Sequence, residues 1–328
     1  MQVQINQSSK PQIKLSKRVQ EILVCPICHN HLDLGREDCN CTECKAIFPI
    51  NNGIPILIDE NSSIFSVKDF LYHRNTTFNL SRKNKFIEFL NRLIPSISIN
   101  IKTTENYHRL IKLLLARSTN PKVLVVGGSI LGKGTEVIVK DPDIELVETD
   151  VSFGPRTTLI CDGHSLPFAD NSFDGVIIQA VLEHVIEPSR CVEEIYRVLK
   201  DDGLVYAETP FMQQVHAGCY DFTRFTHLGH RRLFRKFEEI DSGATCGPGM
   251  ALAWAYNYLL LSFTTSKFLR KLIGLFVRLT VFPLKYLDYL LINRPGTLDA
   301  ASAYYFIGKK SDQILSDKKL VNLYKGVC

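Results

Sequence analysis

The sequence predicts an α/β protein built on a doubly wound parallel sheet, and three observations carry that reading. Val123 to Val126 is an uninterrupted apolar run that ends in Gly127-Gly128, with Gly132 and Gly134 a turn later and a helical pattern after them. A strand that ends in glycines and opens a helix lets backbone N–H groups approach a nucleotide closely. Strand-like and helix-like stretches then alternate as far as residue 210, the order a parallel sheet with crossover helices requires. Ahead of all this, two Cys-x-x-Cys pairs mark a small, metal-stapled module.

The chain of 328 residues is long enough for a sizeable core and more than one domain. Its net charge of +5 makes no global case for nucleic acid. Ten cysteines follow an N-terminal stretch, Met1 to Lys17, that is polar and lacks the apolar core of a secretion signal. Reduced thiols are therefore expected, serving metal binding or burial rather than disulfides. A cytoplasmic location is the expectation. There is no internal repeat and no low-complexity run.

Residues 1–20 read as a flexible tail and residues 21–60 as the metal module. Cys25 with Cys28 and Cys41 with Cys44 form two knuckles, and four thiolates close a tetrahedron around a structural zinc. Cys39 is a spare thiol that suits a knuckle less well. Four unliganded cysteines are the alternative, which the small size of the module argues against. The segment ends in FPINNGIPILIDE, where Asn52-Gly53 reads as a turn between short strands. The CPxC, CxxC and FPI-x-x-GIP-x-L motifs resemble the small zinc-ribbon-like family of the activator subunit of tRNA and translation-factor methyltransferases. That resemblance implies a partner-binding or stabilising role.

Residues 61–120 read as a helical linker. It holds a basic patch from Arg82 to Lys85, an amphipathic run FIEFLNRLI, and a helix from Glu105 to Arg117 with Leu110, Ile111, Leu114 and Leu115 on one side, expected over the cofactor edge. Within residues 121–310 the second strand is expected to end at Asp150, an acidic residue suited to both hydroxyls of a ribose. A third short strand precedes Asp162. FDGVIIQAVLEHV reads as a fourth strand running into a helix, CVEEIYRVLK as its continuation, and LVYAETPF as the fifth strand.

The order DGHSLPF, SFDGV, VLEHV and RVLKDDGL resembles the class I S-adenosylmethionine-dependent methyltransferases of the type 11 group, over roughly residues 121–245. The resemblance implies a Rossmann-like seven-stranded sheet and S-adenosylmethionine as cofactor. It places Gly127 and Gly128 against the methionine part, Asp150 on the ribose and Asp162 near the adenine amino group. Ser129, Gly163 and Gln179 complete the expected cofactor set. Val125 stands where the family usually has an acidic residue, and Ser129 where it has a third glycine. A nicotinamide reading is weaker, because GGSILG is not GxGxxG.

After the fifth strand, PFMQQVHAGCYDFTRFTHLGH packs His216, Tyr220, Asp221, Arg224, His227 and His230 into a short stretch. The loop resembles a subgroup of bacterial methyltransferases associated with surface-glycan assembly. Transfer to a hydroxyl profits from a base near neutral pKa. His216 is the first choice for that base and His184 the second, with too few further ligands legible around Glu183-His184 to place a metal there. Tyr220 and Arg224 would share a face if that piece is helical and would position the acceptor. His227 and His230 are expected to cap the next helix.

Residues 232–242 read as a helix and the sixth strand, and residues 301–310 as a last, antiparallel strand. Between them, residues 246–300 form a helical insertion. Residues 251–292 carry five basic side chains and one acidic one. Lys267, Lys271, Arg278 and Lys285 recur at helical spacing, which suits an in-plane membrane helix at the inner face of the membrane; a lid or the surface of a homo-oligomer is the alternative. Residues 311–328 read as a tail.

The expected function is thus S-adenosylmethionine-dependent methylation of an oxygen in a glycan or lipid-linked intermediate. Two rivals remain: a ribosomal- or transfer-RNA methyltransferase, and a non-catalytic scaffold that binds a partner through its zinc ribbon.

Overall fold

The computed structural model describes residues 13–73 and 94–327. The basic patch at residues 82–85 and residues 86–93 of the amphipathic run lie outside them.

Among the described residues one sheet of eleven strands is formed: β1 Leu32–Leu34, β2 Asp38–Cys41, β3 Ile47–Asn51, β4 Ile54–Leu57, β5 Lys122–Val126, β6 Glu145–Asp150, β7 Leu159–Cys161, β8 Phe173–Gln179, β9 Leu199–Pro210, β10 Phe237–Cys246 and β11 Ala303–Lys310. Their order is β1-β2-β3-β4-β7-β6-β5-β8-β9-β11-β10. From β7 to β10 this is the expected seven-stranded sheet. β7, β6, β5, β8 and β9 are parallel, and β11 lies antiparallel between β9 and β10.

The N-terminal module does not stand apart from this sheet; it extends it. β4 pairs parallel with β7, Ile56 opposite Ile160 and Leu57 opposite Cys161. Every residue of β4 is buried, so this apolar strand needs cover on both faces and a hydrogen-bonded neighbour, which the open edge of β7 supplies. The Val24 N–H donates to the Pro167 carbonyl (3.0 Å) and Ser165 Oγ donates to the Pro26 carbonyl (2.6 Å). Residues 13–20, expected as part of a loose tail, are packed as well: Leu15 and Val19 are buried, and Ser16 caps the short helix Lys17–Gln20.

Period-two alternation divides β5 between two cores. Leu124 and Val126 join Cys191, Val192 and Ile195 of the helix Pro188–Val198 on one face. Val123 joins Tyr107, Leu110 and Leu114 of the helix Thr103–Leu115 on the other.

Two local expectations are corrected. The VLEHV stretch is not the start of a helix. Ala180 adopts a left-handed φ of 54° and turns the chain out of β8, and helix begins only at Pro188, at the first-turn position that tolerates proline. His227 and His230 do not cap the next helix. Thr226 does so through its side chain, while both histidines are buried inside the helix His227–Leu233.

The insertion forms the helices Pro248–Leu261 and Lys267–Thr280, a 3-10 segment Phe282–Leu287 and short helices Asp288–Leu291 and Thr297–Ala300. The expected single basic face is broken. The second helix ends at Thr280, Lys285 is buried with its Nζ on the Ser96 carbonyl, and Arg278 donates to the carbonyls of Ile94 (2.8 Å) and Pro95 (3.1 Å). The C-terminal stretch is tied down too, Leu320 being buried and the Val327 N–H donating to Asp299 (2.9 Å).

Candidate functional site

A cavity of about 320 Å³ opens at the carboxyl ends of the parallel strands, where such sheets bind ligands. The larger opening of about 970 Å³ lies along β10, β11 and the C-terminal tail, away from those strand ends.

The floor of the cavity is the glycine turn. The N–H groups of Gly127 and Gly128 both donate to the Thr149 carbonyl (2.9 and 2.8 Å), which holds β5 and β6 together where the turn begins. Gly127 has a φ of +78°, and a Cβ there would lie 2.3 Å from Val181 Cγ2. Only glycine fits, and the cradle it leaves open is where the chain can approach a nucleotide closely.

Asp150 ends β6 at the wall of the cavity. Its Oδ2 accepts the Ser129 N–H (3.0 Å) and its Oδ1 the Ser152 hydroxyl (2.8 Å). It fixes the glycine loop and still lines the cavity. Asp162 follows β7. Its Oδ1 accepts both the backbone N–H (3.0 Å) and the Nδ1 of His164 (2.6 Å), and its Oδ2 accepts the Ser63 hydroxyl. Burial pushes its carboxyl up, but these donors outweigh it and hold the group below its ordinary pKa. Gly163 lines the cavity beside it; Gln179 also lines it, but spends its amide on Glu208 (2.8 Å) and accepts from Tyr107 (3.1 Å). Glu208, pushed up by burial, is satisfied by Thr103, Tyr206 and Gln179.

The linker supplies a wall that sequence reasoning missed. Ile64 and Phe65 line the cavity, Ser63 bonds Asp162, and the Phe65 ring lies 6.0 Å from that of Tyr220. No local signal marks Ser63, whose partner is 99 residues away.

At the other end of the cavity stand His184, Ala217 and Tyr220. The loop of residues 211–226 is not helical around Tyr220 and Arg224, so the expected shared face is absent; Tyr220 closes a single 3-10 turn. Arg224 braces the loop, donating to the carbonyls of Gln213 (2.9 Å) and Gln214 (3.1 Å) and to both carboxylate oxygens of Asp221. Burial would raise the Asp221 carboxyl, but Arg224 and the His216 N–H together hold it down at about 2.

The loop brings His216 to His184, their Nε2 atoms 3.1 Å apart. Glu183 Oε1 lies 3.6 Å from His184 Nε2 and 3.7 Å from His216 Nε2. Glu183 is 1 % exposed, and neither of its carboxylate oxygens has a hydrogen-bond partner. The Glu183 carboxylate beside it draws the His216 pKa above the ordinary value against the opposing effect of burial. The sequence marks Glu183 only as the neighbour of His184, and its orphaned carboxylate shows only in the fold.

The four cysteines form a second centre. Cys25 and Cys44 sulfurs are 3.6 Å apart and Cys28 and Cys41 sulfurs 3.4 Å apart, all four within 4.8 Å of one another. Tetrahedral zinc with Zn–S bonds of roughly 2.3 Å needs sulfur separations of about 3.8 Å, so the set fits a closed structural zinc. Cys39 stays outside it in the core, where burial pushes its thiol up to about 12.

The chain is similar to known proteins over parts of its length. A methyltransferase-domain family, Methyltransf_11, matches residues 130–207. A demethylmenaquinone methyltransferase of Paenarthrobacter aurescens strain TC1 is 39 % identical over 77 residues, covering 23 % of this chain and 30 % of its own. The chain thus spans less than a third of the length of that relative. A UPF0434 protein of Azoarcus sp. strain BH72 is 33 % identical over 57 residues, covering 17 % of this chain and 92 % of its own. Among solved structures, a putative sarcosine dimethylglycine methyltransferase from Galdieria sulphuraria matches with a TM-score of 0.44 and 12 % identity, over 70 % of this chain and all of that one. The chain therefore belongs to the UPF0434 family over one short stretch, and in its parallel-sheet domain it is similar to the methyltransferase-domain family over residues 130–207.

Proposed function

We propose that the protein transfers a methyl group from S-adenosylmethionine to an oxygen of a glycan or lipid-linked intermediate. The observation that carries the reading is one continuous cavity, with the Gly127 cradle and Asp150 at one end and His184 with Tyr220 at the other. The glycine turn, Asp150 and Asp162 would hold the cofactor, Asp150 through the acceptor capacity left beside Ser129 and Ser152. S-adenosylmethionine supplies an electrophilic methyl on a sulfonium. The chain's own part is to align an acceptor with it, worth many orders of magnitude in rate, and to activate the acceptor oxygen at Glu183, His184 and His216. Tyr220 and the Arg224-braced loop shape the mouth where that acceptor enters.

Membrane association belongs to the same reading. No helix among the described residues is long and apolar enough to cross a membrane. The helix Lys267–Thr280 nevertheless buries only Val277 and turns Phe268, Leu272, Phe276 and Leu279 outward, and Phe263, just ahead of it, is 82 % exposed. Lys267, Arg270 and Lys271 stand exposed beside them, whereas the acidic Asp288 is buried on the N–H groups of Gly249 and Met250. A symmetric dimer would set these like charges against their copies; an anionic lipid surface would complement them. Tyr258 of the first insertion helix donates to the Val215 carbonyl (2.8 Å), so the insertion adjoins the acceptor loop through that helix. Protein should sediment with phosphatidylglycerol vesicles at low salt and release at high salt. Indifference to vesicles together with a stable dimer would favour an interface between copies.

The deciding experiment is labelled-methyl transfer from S-adenosylmethionine into fractionated cell extract. Label in the glycan or lipid-linked fraction supports the reading, and label in RNA supports the nucleic-acid rival. Cofactor binding without transfer to any fraction supports a scaffold.

A further inference from the structure

The Glu183–His184–His216 cluster has an electrostatic problem that its protein partners do not solve. His184 Nδ1 lies 2.8 Å from the Tyr220 carbonyl, so it carries the proton and donates it there. His216 Nδ1 faces the Gln214 carbonyl at 3.2 Å and Asp221 Oδ2 at 3.5 Å. Arg224 Nη2 also lies 3.5 Å from it, but already donates to Asp221 and Gln214 at shorter range, so this nitrogen too is the protonated one. With neutral imidazoles both Nε2 atoms therefore present lone pairs to each other at 3.1 Å beside a buried carboxylate with no donor of its own, an arrangement that favours a cation there, whether a proton on His216 Nε2 or a metal ion. Three electron-rich atoms converge on one point, and such a point calls for a cation.

We propose that this cluster is a divalent transition-metal site, with Glu183 Oε1, His184 Nε2 and His216 Nε2 as its protein ligands. A triangle with their separations of 3.1, 3.6 and 3.7 Å has a circumradius of about 2.0 Å. That is the bond length from such an ion to imidazole nitrogen or carboxylate oxygen, roughly 2.0–2.2 Å. Two imidazoles and one carboxylate suit a first-row divalent ion and leave coordination positions open, unlike the closed cysteine centre. The carbonyls of Tyr220 and Gln214 on the two Nδ1–H groups fix the tautomers, as outer partners of metal-bound histidines do. Because His184 lines the cofactor cavity and the His216 side chain is 31 % exposed, the open positions face the acceptor mouth. An acceptor with one or two hydroxyls would take them, which deepens the transfer reading without depending on it: binding of the ion needs neither cofactor nor acceptor.

The test uses full-length protein with its cysteine centre filled by zinc, titrated with Mn²⁺ or Co²⁺ alone. One further ion per chain is expected. With Co²⁺ it should give a nitrogen–oxygen ligand spectrum free of thiolate charge transfer. His216→Ala and Glu183→Gln should each weaken Mn²⁺ at least about tenfold, while retained S-adenosylmethionine binding shows that the variants are folded. No Mn²⁺ or Co²⁺ binding beyond the cysteine centre would overturn the assignment, as would unchanged Mn²⁺ affinity in both folded variants or a cobalt spectrum of thiolate type only. Loss of methyl transfer with the ion still bound would count against the transfer reading alone.

Discussion

Replacing Gly127 by alanine separates two physical demands made on one residue. The first is backbone conformation: at φ +78° an L-residue pays about 1–2 kcal/mol that glycine does not. The second is space. The new Cβ would sit 2.3 Å from Val181 Cγ2, while the next nearest atoms are at 3.6 and 3.7 Å, so a single methyl group is in the way. Overpacking of this size costs about 1–3 kcal/mol. Gly127→Ala should therefore lose about 2–5 kcal/mol, a large part of a typical domain's stability of roughly 5–15 kcal/mol. Val181→Ala removes the obstructing methyl. The double variant should recover the steric part and keep the conformational part, which a double-mutant cycle in urea reads directly. Calorimetry should show S-adenosylmethionine affinity falling in Gly127→Ala. A single variant within about 0.5 kcal/mol of wild type, or a double variant no more stable than the single, would refute the reasoning.

Four further outcomes are expected. Asp150→Ala removes a carboxylate that holds the Ser129 N–H as well as facing the cavity. It should weaken S-adenosylmethionine by about 1.5–3 kcal/mol per charge-assisted hydrogen bond lost; unchanged affinity in calorimetry would move the cofactor elsewhere. Metal analysis should find zinc at the four cysteines, and Cys41→Ser should unfold the ribbon and, because β4 pairs with β7, raise hydrogen exchange in residues 159–161 too. His216→Ala should lower turnover about 10²–10⁴-fold with cofactor affinity intact, whereas Arg224→Ala, which unbraces the loop, should change kcat and KM together; full turnover in His216→Ala would remove the cluster from the reaction. Burial holds the His230 pKa down at about 3, so the unfolded chain protonates first as pH falls below about 6.5. His230 therefore contributes nothing to pH dependence above 6.5 and destabilises progressively from there towards pH 3. His230→Leu should flatten that part of the stability profile, and an unaltered slope in denaturant titrations would show that the imidazole is already charged.

The sequence by itself determined whatever local patterns can carry. Val123 to Gly128 announces a buried strand and the glycine turn after it because apolar run and glycines are adjacent in the chain. The paired Cys-x-x-Cys spacing announces its centre because each knuckle is local. Asp150 and Asp162 were legible as strand ends, since the strands before them are apolar and short. What stayed hidden depends on partners brought together from afar. His184 and His216 are 32 residues apart, and only the left-handed turn at Ala180 and the Arg224 brace bring their nitrogens to one point. The pairing of β4 with β7 was equally unreadable, because an open sheet edge exists only once the sheet has formed. The insertion shows the same limit from the other side. Helical spacing put Lys267, Lys271, Arg278 and Lys285 on one face, but the chain bends after Thr280 and backbone carbonyls of residues 94–96 take up the last two. Periodicity predicts a face only for as long as the helix runs, and tertiary packing decided where it stopped.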